Sequence, residues 1–132
     1  MWKKSKRFLV ALLTFTLPVG CIGCSGNGSA SYEQISATQA KALMDSESGY
    51  IIIDARTQSE YDEGHIPGAT LIPYDEISDR AEKELTDKEQ LILVYCRSGR
   101  RSKIAAEELV KLGYTNVKEF GGIIDWEYEI VK

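Results

Sequence analysis

The stretch LILVYCRSGRRS, Leu91 to Ser102, decides the fold class, because an apolar strand pattern runs directly into a polar loop and a helix pattern. Its first five residues are apolar without interruption, as in a strand that is covered on both faces of a sheet. Cys96 ends the apolar run, and Arg97 to Arg101 follow with one serine, one glycine and three arginines. From Ser102 onwards, apolar residues recur at helical spacing. Ligands of α/β sheets bind beyond the carboxyl ends of the strands, so a site is expected at this loop.

Strand and helix patterns also alternate through the rest of the chain. Strands are predicted at Tyr32 to Ser36, Tyr50 to Ile53, Ala69 to Pro73 and Val117 to Phe120. Helices are predicted after the capping boxes of Ser36 with Gln39 and Thr57 with Glu60, through Ile77, Ala81 and Leu85, from Ser102 to Gly113, and from Ile123 onwards. This alternation implies right-handed crossovers between parallel strands. We therefore expect an α/β fold with a mainly parallel central sheet of about five strands, flanked by helices on both faces.

The first 24 residues have the composition of a targeting segment. Basic residues from Lys3 to Arg7 precede an apolar run from Phe8 to Val19, and small residues follow. This order is typical of a secretory signal peptide, and the run is shorter than the roughly 20 residues of a membrane-spanning helix. VGCIGC resembles a bacterial lipoprotein signal, which predicts lipid attachment at Cys24, or at Cys21. An unlipidated anchor, or a redox or metal pair of these cysteines, is the alternative.

Residues 25–31, rich in glycine and serine, are predicted to be a flexible tether between this leader and a domain at residues 32–132. The expected location is the outer side of the bacterial cytoplasmic membrane, through the lipid anchor, or the periplasm. All 20 acidic residues and 12 of the 16 basic ones lie in the domain, which gives it a net charge of about −8. Such a charge disfavours nucleic-acid binding. We expect a monomer that needs no metal or cofactor.

Cys96 is the one cysteine of the predicted domain, and its position favours a reactive thiol. A strand end, a tight loop and a helix start bring backbone N–H groups and a partial positive charge near the sulfur. Arg97, Arg100 and Arg101 add cations, and such surroundings lower the pKa of a thiol. Gly99 permits a tight backbone path. The loop is interpreted as an anion-binding cup with a nucleophile at its floor; the alternative is an inert buried cysteine beside solvated arginines.

Four segments stand out by their order and spacing: IIIDART (Ile51 to Thr57), EYDEGHIPGATLIP (Glu60 to Pro73), LILVYCRSGRRS (Leu91 to Ser102) and LGYTNVKEFGGIIDW (Leu112 to Trp126). Together they resemble the rhodanese family. The resemblance implies a sulfurtransferase whose cysteine accepts a sulfane sulfur, holds it as a persulfide and passes it to a thiophilic acceptor. By position, Cys96 is the persulfide-forming nucleophile. The substrate-binding loop is formed by Arg97, Ser98, Gly99, Arg100 and Arg101.

The remaining polar residues of interest are interpreted as structural. In the resembling family, the aspartate and arginine after the central strand hold the fold, which implies a salt-bridged support role for Asp54 and Arg56, together with Glu60. His65, the only histidine, lies between a helix end and a strand, where a structural hydrogen bond is expected. Without a histidine base, the loop itself must stabilise the thiolate.

Other functions remain open at this point. Phosphatases and arsenate reductases of the same fold typically have a loop one residue longer that closes with arginine, whereas Ser102 occupies that closing position here. The six residues from Cys96 to Arg101 suit a sulfur better than a phosphate. Rhodanese-like domains also serve as non-catalytic binding modules or persulfide carriers, which turnover with a thiol or cyanide acceptor would distinguish from an enzyme. The cationic loop favours a small anionic donor such as thiosulfate.

Overall fold

The structure is a computed structural model that describes residues 31–132. The predicted signal peptide with Cys21 and Cys24, and the tether residues before Ser31, lie outside the described residues. None of the helices between Ser31 and Lys132 combines the length and the apolar character that crossing a membrane requires.

A parallel sheet of five strands, flanked by helices on both faces, forms the described part of the chain. The strands are β1 (Glu33–Gln34), β2 (Ile51–Asp54), β3 (Thr70–Leu71), β4 (Ile92–Cys96) and β5 (Val117–Gly122). The helices are α1 (Ala37–Ser46), α2 (Gln58–Glu63), α3 (Ile77–Glu84) and α4 (Arg100–Lys111), and a 3-10 turn (Ile123–Asp125) follows β5. The strand order is β1-β5-β4-β2-β3, with every neighbouring pair parallel. The predicted α/β architecture is confirmed.

Local hydrogen bonds explain where the helices begin and end. Both predicted capping boxes are present: the Ser36 hydroxyl caps α1, and the Thr57 hydroxyl caps α2. At the end of α4, Gly113 adopts a left-handed conformation (φ 96°), and its N–H donates to the Val110 carbonyl. The start of α4 lies at Arg100, two residues before the predicted start, because Gly99 turns the chain into the helix at once.

The central strand β4 places its side chains alternately on the two faces of the sheet. Cys96 belongs to the cluster of buried residues that packs against α3 and α4. Tyr95 belongs to the cluster on the opposite face, beneath α1. All five residues of β4 are buried, as the uninterrupted apolar pattern predicts. The cysteine is therefore held at the end of the most covered strand in the described part of the chain.

Four elements differ in length from the predictions. The strand predicted at Tyr32 to Ser36 is reduced to the two residues of β1. The strand predicted at Ala69 to Pro73 is reduced to the two residues of β3 at the edge of the sheet, where Pro73 has no N–H to donate. β5 continues past Phe120 to Gly122, because its last residues pair with the end of β4. The helix predicted from Ile123 onwards is a single 3-10 turn.

Candidate active site

Cys96 is the last residue of β4, and the following loop folds back over its sulfur. The residue is 1% exposed. The Gly99 N–H donates a hydrogen bond to Cys96 Sγ over 3.0 Å, and Ser102 Oγ lies 3.4 Å from Sγ. The loop therefore surrounds the thiol with hydrogen-bonding groups from its own backbone and from the first turn of α4.

These surroundings have opposite effects on the pKa of the Cys96 thiol. Burial raises the pKa, since it disfavours the charged thiolate. The Ser102 hydroxyl and the backbone N–H groups of Ser102, Gly99 and Ser98 lower it. The hydrogen bonds prevail, so the pKa of Cys96 lies below its ordinary value. The thiol is therefore easier to ionise than a free cysteine, although solvent barely reaches it.

Glycines on both sides determine how closely the loop and β5 approach each other. Gly99 has a left-handed backbone (φ 107°), which turns the chain into α4. Gly122 pairs with Cys96 across the sheet. A Cβ atom at Gly122 would lie 1.9 Å from the Arg97 carbonyl oxygen and 2.4 Å from the Ser98 nitrogen. Only glycine at position 122 leaves room for the loop backbone in this position.

The three arginines of the loop have different partners. Arg101 makes a bidentate ion pair with Glu60, in which Nη1 and Nη2 lie 2.7 and 2.8 Å from the two carboxylate oxygens. The hydrogen bonds from Arg101 lower the pKa of Glu60 to about 2. This pair joins α4 to the N-terminus of α2. Arg97 and Arg100 are exposed, and neither forms an ion pair within residues 31–132. Two cations of the loop thus remain available to an anion.

A buried polar network holds the strand end that carries the cysteine. Arg56 Nη2 lies 2.7 Å from Asp54 Oδ2 and also donates to the Gly64 carbonyl. The Tyr95 hydroxyl donates to Asp54 Oδ2 over 2.7 Å and accepts the Ile66 N–H over 3.1 Å. The network connects β2, β4 and the segment before β3. Asp54 and Arg56 thus contact each other and the scaffold.

The single histidine lies in a structural setting. His65 Nδ1 is 2.9 Å from the Tyr61 carbonyl oxygen, and the two rings stack at 3.7 Å. The backbone N–H of His65 donates to the Val131 carbonyl, and this bond attaches the last residues of the chain to the segment before β3. From Ser31 to Lys132, no group of histidine, cysteine or acidic residues is arranged to hold a metal ion.

Two residues outside the predicted site complete the surroundings of the sulfur. Ser102 Oγ lies 2.6 Å from Glu119 Oε1, so the hydroxyl lies between the thiol and a carboxylate. Glu119 is 3% exposed, and the Gly121 N–H donates to its Oε1 over 2.7 Å. An acidic residue in the apolar pattern VKEFGG was the available signal in the sequence. Its meaning depends on the pairing of β5 with β4, which the pattern alone does not reveal.

Comparisons with known proteins agree with the fold. The sequence model of the rhodanese-like domain matches residues 36–129. The thiosulfate sulfurtransferase PspE of Escherichia coli is 40% identical over 73 residues, which cover 55% of this chain and 70% of PspE. YrkF of Bacillus subtilis, named as a candidate sulfur carrier, is 36% identical over 103 residues, which cover 77% of this chain.

The chain spans about half the length of YrkF, with 55% of that protein covered. A solved structure described as rhodanese with anions from E. coli superposes with a TM-score of 0.60 at 37% identity. That superposition covers 63% of this chain and 98% of the other. Nearly the whole of that solved chain thus superposes on a part of this one.

Proposed function

The chain belongs to the rhodanese-like family, and from this premise we propose that it is a sulfurtransferase in which Cys96 carries the transferred sulfur as a persulfide. The observation that carries the proposal is the closed loop around Sγ: a buried thiol receives a backbone N–H bond and has a lowered pKa. Such a thiol ionises without a histidine base. It is suited to attack on sulfur, which requires no proton transfer to the leaving group.

The proposed reaction proceeds in two half-reactions. The Cys96 thiolate attacks the outer sulfur of the donor, a bond forms between Sγ and that sulfur, and the sulfur–sulfur bond of the donor breaks. With thiosulfate, sulfite leaves with the electron pair of the broken bond. A thiol or cyanide then attacks the outer sulfur of the persulfide, and the Cys96 thiolate is released. Ping-pong kinetics are expected.

The charges around the loop support an anionic donor. Arg97 and Arg100 are exposed beside the cysteine, while the remaining part of the domain is strongly acidic. A dianion such as thiosulfate is attracted to this local positive region. Arg101 contributes differently, because Glu60 already neutralises it and holds it in place. We infer that Arg101 positions the loop, whereas Arg97 and Arg100 attract the donor.

A persulfide carrier that hands its sulfur to one protein partner is the second candidate. The similarity to YrkF supports it. A carrier accepts one sulfur and does not turn over with small acceptors, whereas an enzyme does. Phosphate chemistry is disfavoured because the loop from Cys96 to Arg101 has six residues, and Ser102 occupies the position where phosphatases of this fold typically close a longer loop with arginine.

Export and lipid attachment at Cys24 or Cys21 are proposed from the composition of the leader. Incorporation of labelled fatty acid into the chain, compared with Cys24→Ser and Cys21→Ser variants, tests this proposal. A wild-type chain that acquires no label in bacterial cells would contradict it.

Mass spectrometry of the full chain after incubation with thiosulfate tests the main proposal. Alkylation before digestion separates thiol from persulfide, and trypsin releases the peptide Glu89–Arg97, which contains Cys96 apart from the cysteines of the leader. One added sulfur on this peptide is expected in the wild type. Absence of that sulfur from a folded wild-type chain would refute the thiosulfate reaction. Cys96→Ser is the control for sulfur bound elsewhere, and continuous thiocyanate formation with cyanide separates an enzyme from a carrier.

A further inference from the structure

A continuous chain of hydrogen-bonding groups runs from the cysteine to a buried carboxylate. Cys96 Sγ lies 3.4 Å from Ser102 Oγ, and Ser102 Oγ lies 2.6 Å from Glu119 Oε1. Ser102 is fully buried, and Glu119 is 3% exposed. No ion pair among the described residues includes Glu119, so its carboxylate is buried without a cationic partner. Such a group is costly when charged.

The number of protons in this series of hydrogen-bonded groups limits its charge. The Ser102 hydroxyl has one proton, and Glu119 Oε1 at 2.6 Å is a nearer acceptor for it than the Gly99 and Gly121 carbonyl oxygens at 3.0 and 3.3 Å or Sγ at 3.4 Å. A thiolate and a carboxylate on either side of it would compete for that single donor. Two neighbouring negative charges in a buried site also repel each other. The arrangement therefore favours a state in which Cys96 and Glu119 share one ionisable proton.

We propose that Glu119 takes up the thiol proton of Cys96 through Ser102 and stores it while the sulfur reacts. The Sγ–H bond breaks as an O–H bond forms at Ser102, and the original Ser102 proton moves to Glu119 Oε1. The electron pair of the S–H bond remains on sulfur. When an acceptor removes the transferred sulfur and Cys96 is released as a thiolate, the protons return by the same route. Glu119 never touches the substrate and is a positioning residue for the proton.

Other titratable groups face this region from neighbouring elements, but none contacts the carboxylate. They are Tyr32 before β1, Arg101 and Lys103 on α4, and Asp125 in the 3-10 turn, whereas Lys118, next to Glu119 on β5, lies on the opposite side with residues of α1. Lys118 and Arg101 are held in ion pairs, while Lys103 and Asp125 are exposed, where solvent and salt screen their charges. The pKa of Tyr32 is raised, chiefly by burial, so this side chain stays neutral. Ser102 and the Gly121 N–H are the direct partners of the Glu119 carboxylate.

The proposal predicts a particular pH profile for the reactivity of the thiol. Two coupled groups release their protons in two steps, and the intermediate state with one proton contains a constant fraction of thiolate. The rate of Cys96 alkylation should therefore rise in two steps, with a plateau between them. In Glu119→Gln, which retains an oxygen for the Ser102 bond but accepts no proton, a single step is expected. Below that step the rate falls about tenfold per pH unit, whereas the wild-type rate is constant across the same interval.

Alkylation of the full chain by iodoacetamide, followed on the tryptic peptide Glu89–Arg97, measures these profiles. Ser102→Ala should also show one step, because the connection is broken, and Ser102→Thr should restore two steps by restoring the hydroxyl. Asp125→Asn is the matched control, since Asp125 lines the same surface cavity as Glu119, and its replacement removes one negative charge there without contacting Ser102. It should keep the two-step profile.

A single step in the wild type, or two steps retained in folded Glu119→Gln, would overturn the proposal. Ser102→Ala provides the same comparison if Glu119→Gln does not fold. The inference rests on the proposed function, because sulfur transfer is the reaction that would use the thiolate. The alkylation test itself needs no sulfur donor. Two-step ionisation without sulfur loading would leave the proton store standing and refute the sulfurtransferase reaction. Sulfur loading with a single-step profile would support the sulfurtransferase reaction and refute the proton store.

Discussion

Replacing Gly122 by alanine tests whether β5 sets the shape of the cysteine loop. Gly122 has extended backbone (φ −136°) that any residue can adopt, so lack of space is the reason for glycine there. An added Cβ would lie 1.9 Å from the Arg97 carbonyl oxygen, whereas ordinary contacts begin at 3.4 Å. The loop backbone would therefore have to move by about 1.5 Å, the difference between these two distances.

A movement of this size separates the Ser98 and Gly99 N–H groups from Sγ. Because a misplacement of about 1 Å can reduce a rate about 100-fold, we expect Gly122→Ala to form the persulfide about 100-fold more slowly than the wild type. The pKa of Cys96 should also rise towards its ordinary value, since the hydrogen bonds that lower it are weakened. To measure the rate, the wild type and the variant react with thiosulfate, samples are quenched at increasing times, and the cysteine peptide is analysed by mass spectrometry.

Gly121→Ala is the matched control in the neighbouring position. Gly121 has a positive φ of 87°, but no atom lies within 4 Å of an added Cβ. Alanine there should lower the free energy of unfolding by about 1–2 kcal/mol through backbone strain, and leave sulfur loading of the folded protein nearly unchanged. A folded Gly122→Ala protein that loads at the wild-type rate would refute the steric argument. Equal slowing in both variants would refute the argument that lack of space at position 122, and not backbone strain, slows sulfur loading.

Other substitutions test the remaining contacts. Glu60→Gln should lower the free energy of unfolding by about 1 kcal/mol at neutral pH. The pKa of Glu60 falls from 4.5 to about 2 on folding, so this difference should persist above pH 4.5 and disappear as the pH falls towards 2, which urea titrations at several pH values can check. Tyr95→Phe removes a buried hydroxyl and should cost about 1–3 kcal/mol of stability, with little change in sulfur loading per folded molecule. Arg100→Ala should raise the KM for thiosulfate about fivefold, an effect that salt reduces and that Lys103→Ala should not reproduce.

Local signals made most of the fold predictable. The capping boxes at Ser36 and Thr57 and the glycine at position 113 determine helix ends through contacts a few residues apart, and each lies where the sequence predicts it. The uninterrupted apolar run of β4 predicts its burial for a similar reason. The length of β3 was not predictable in this way, because an edge strand ends where its single neighbour stops pairing.

The site was predictable only as far as the loop extends. The strand, the cysteine and Gly99 lie within a few residues of one another in the sequence, so their proximity needs no tertiary information. The different partners of the arginines were not visible, since Glu60 meets Arg101 across 41 positions of the chain. The carboxylate of Glu119 reaches the hydroxyl of Ser102 across 17 positions, through the pairing of β5 with β4. The roles of all these residues in sulfur transfer stay predictions.

The burial of Cys96 also bears on which of two sulfur atoms an acceptor attacks. A persulfide has an inner and an outer sulfur, and a nucleophile that attacks the inner one forms a mixed disulfide and releases sulfide instead of receiving sulfur. Because the cysteine is 1% exposed and enclosed by its loop, a persulfide formed there would have its outer sulfur on the side from which the donor came, between Sγ and an incoming thiol. The outer sulfur extends beyond Sγ and is the atom within reach. The enclosure would thus give the reaction its regioselectivity, directing every acceptor to the transferable atom whatever its intrinsic preference.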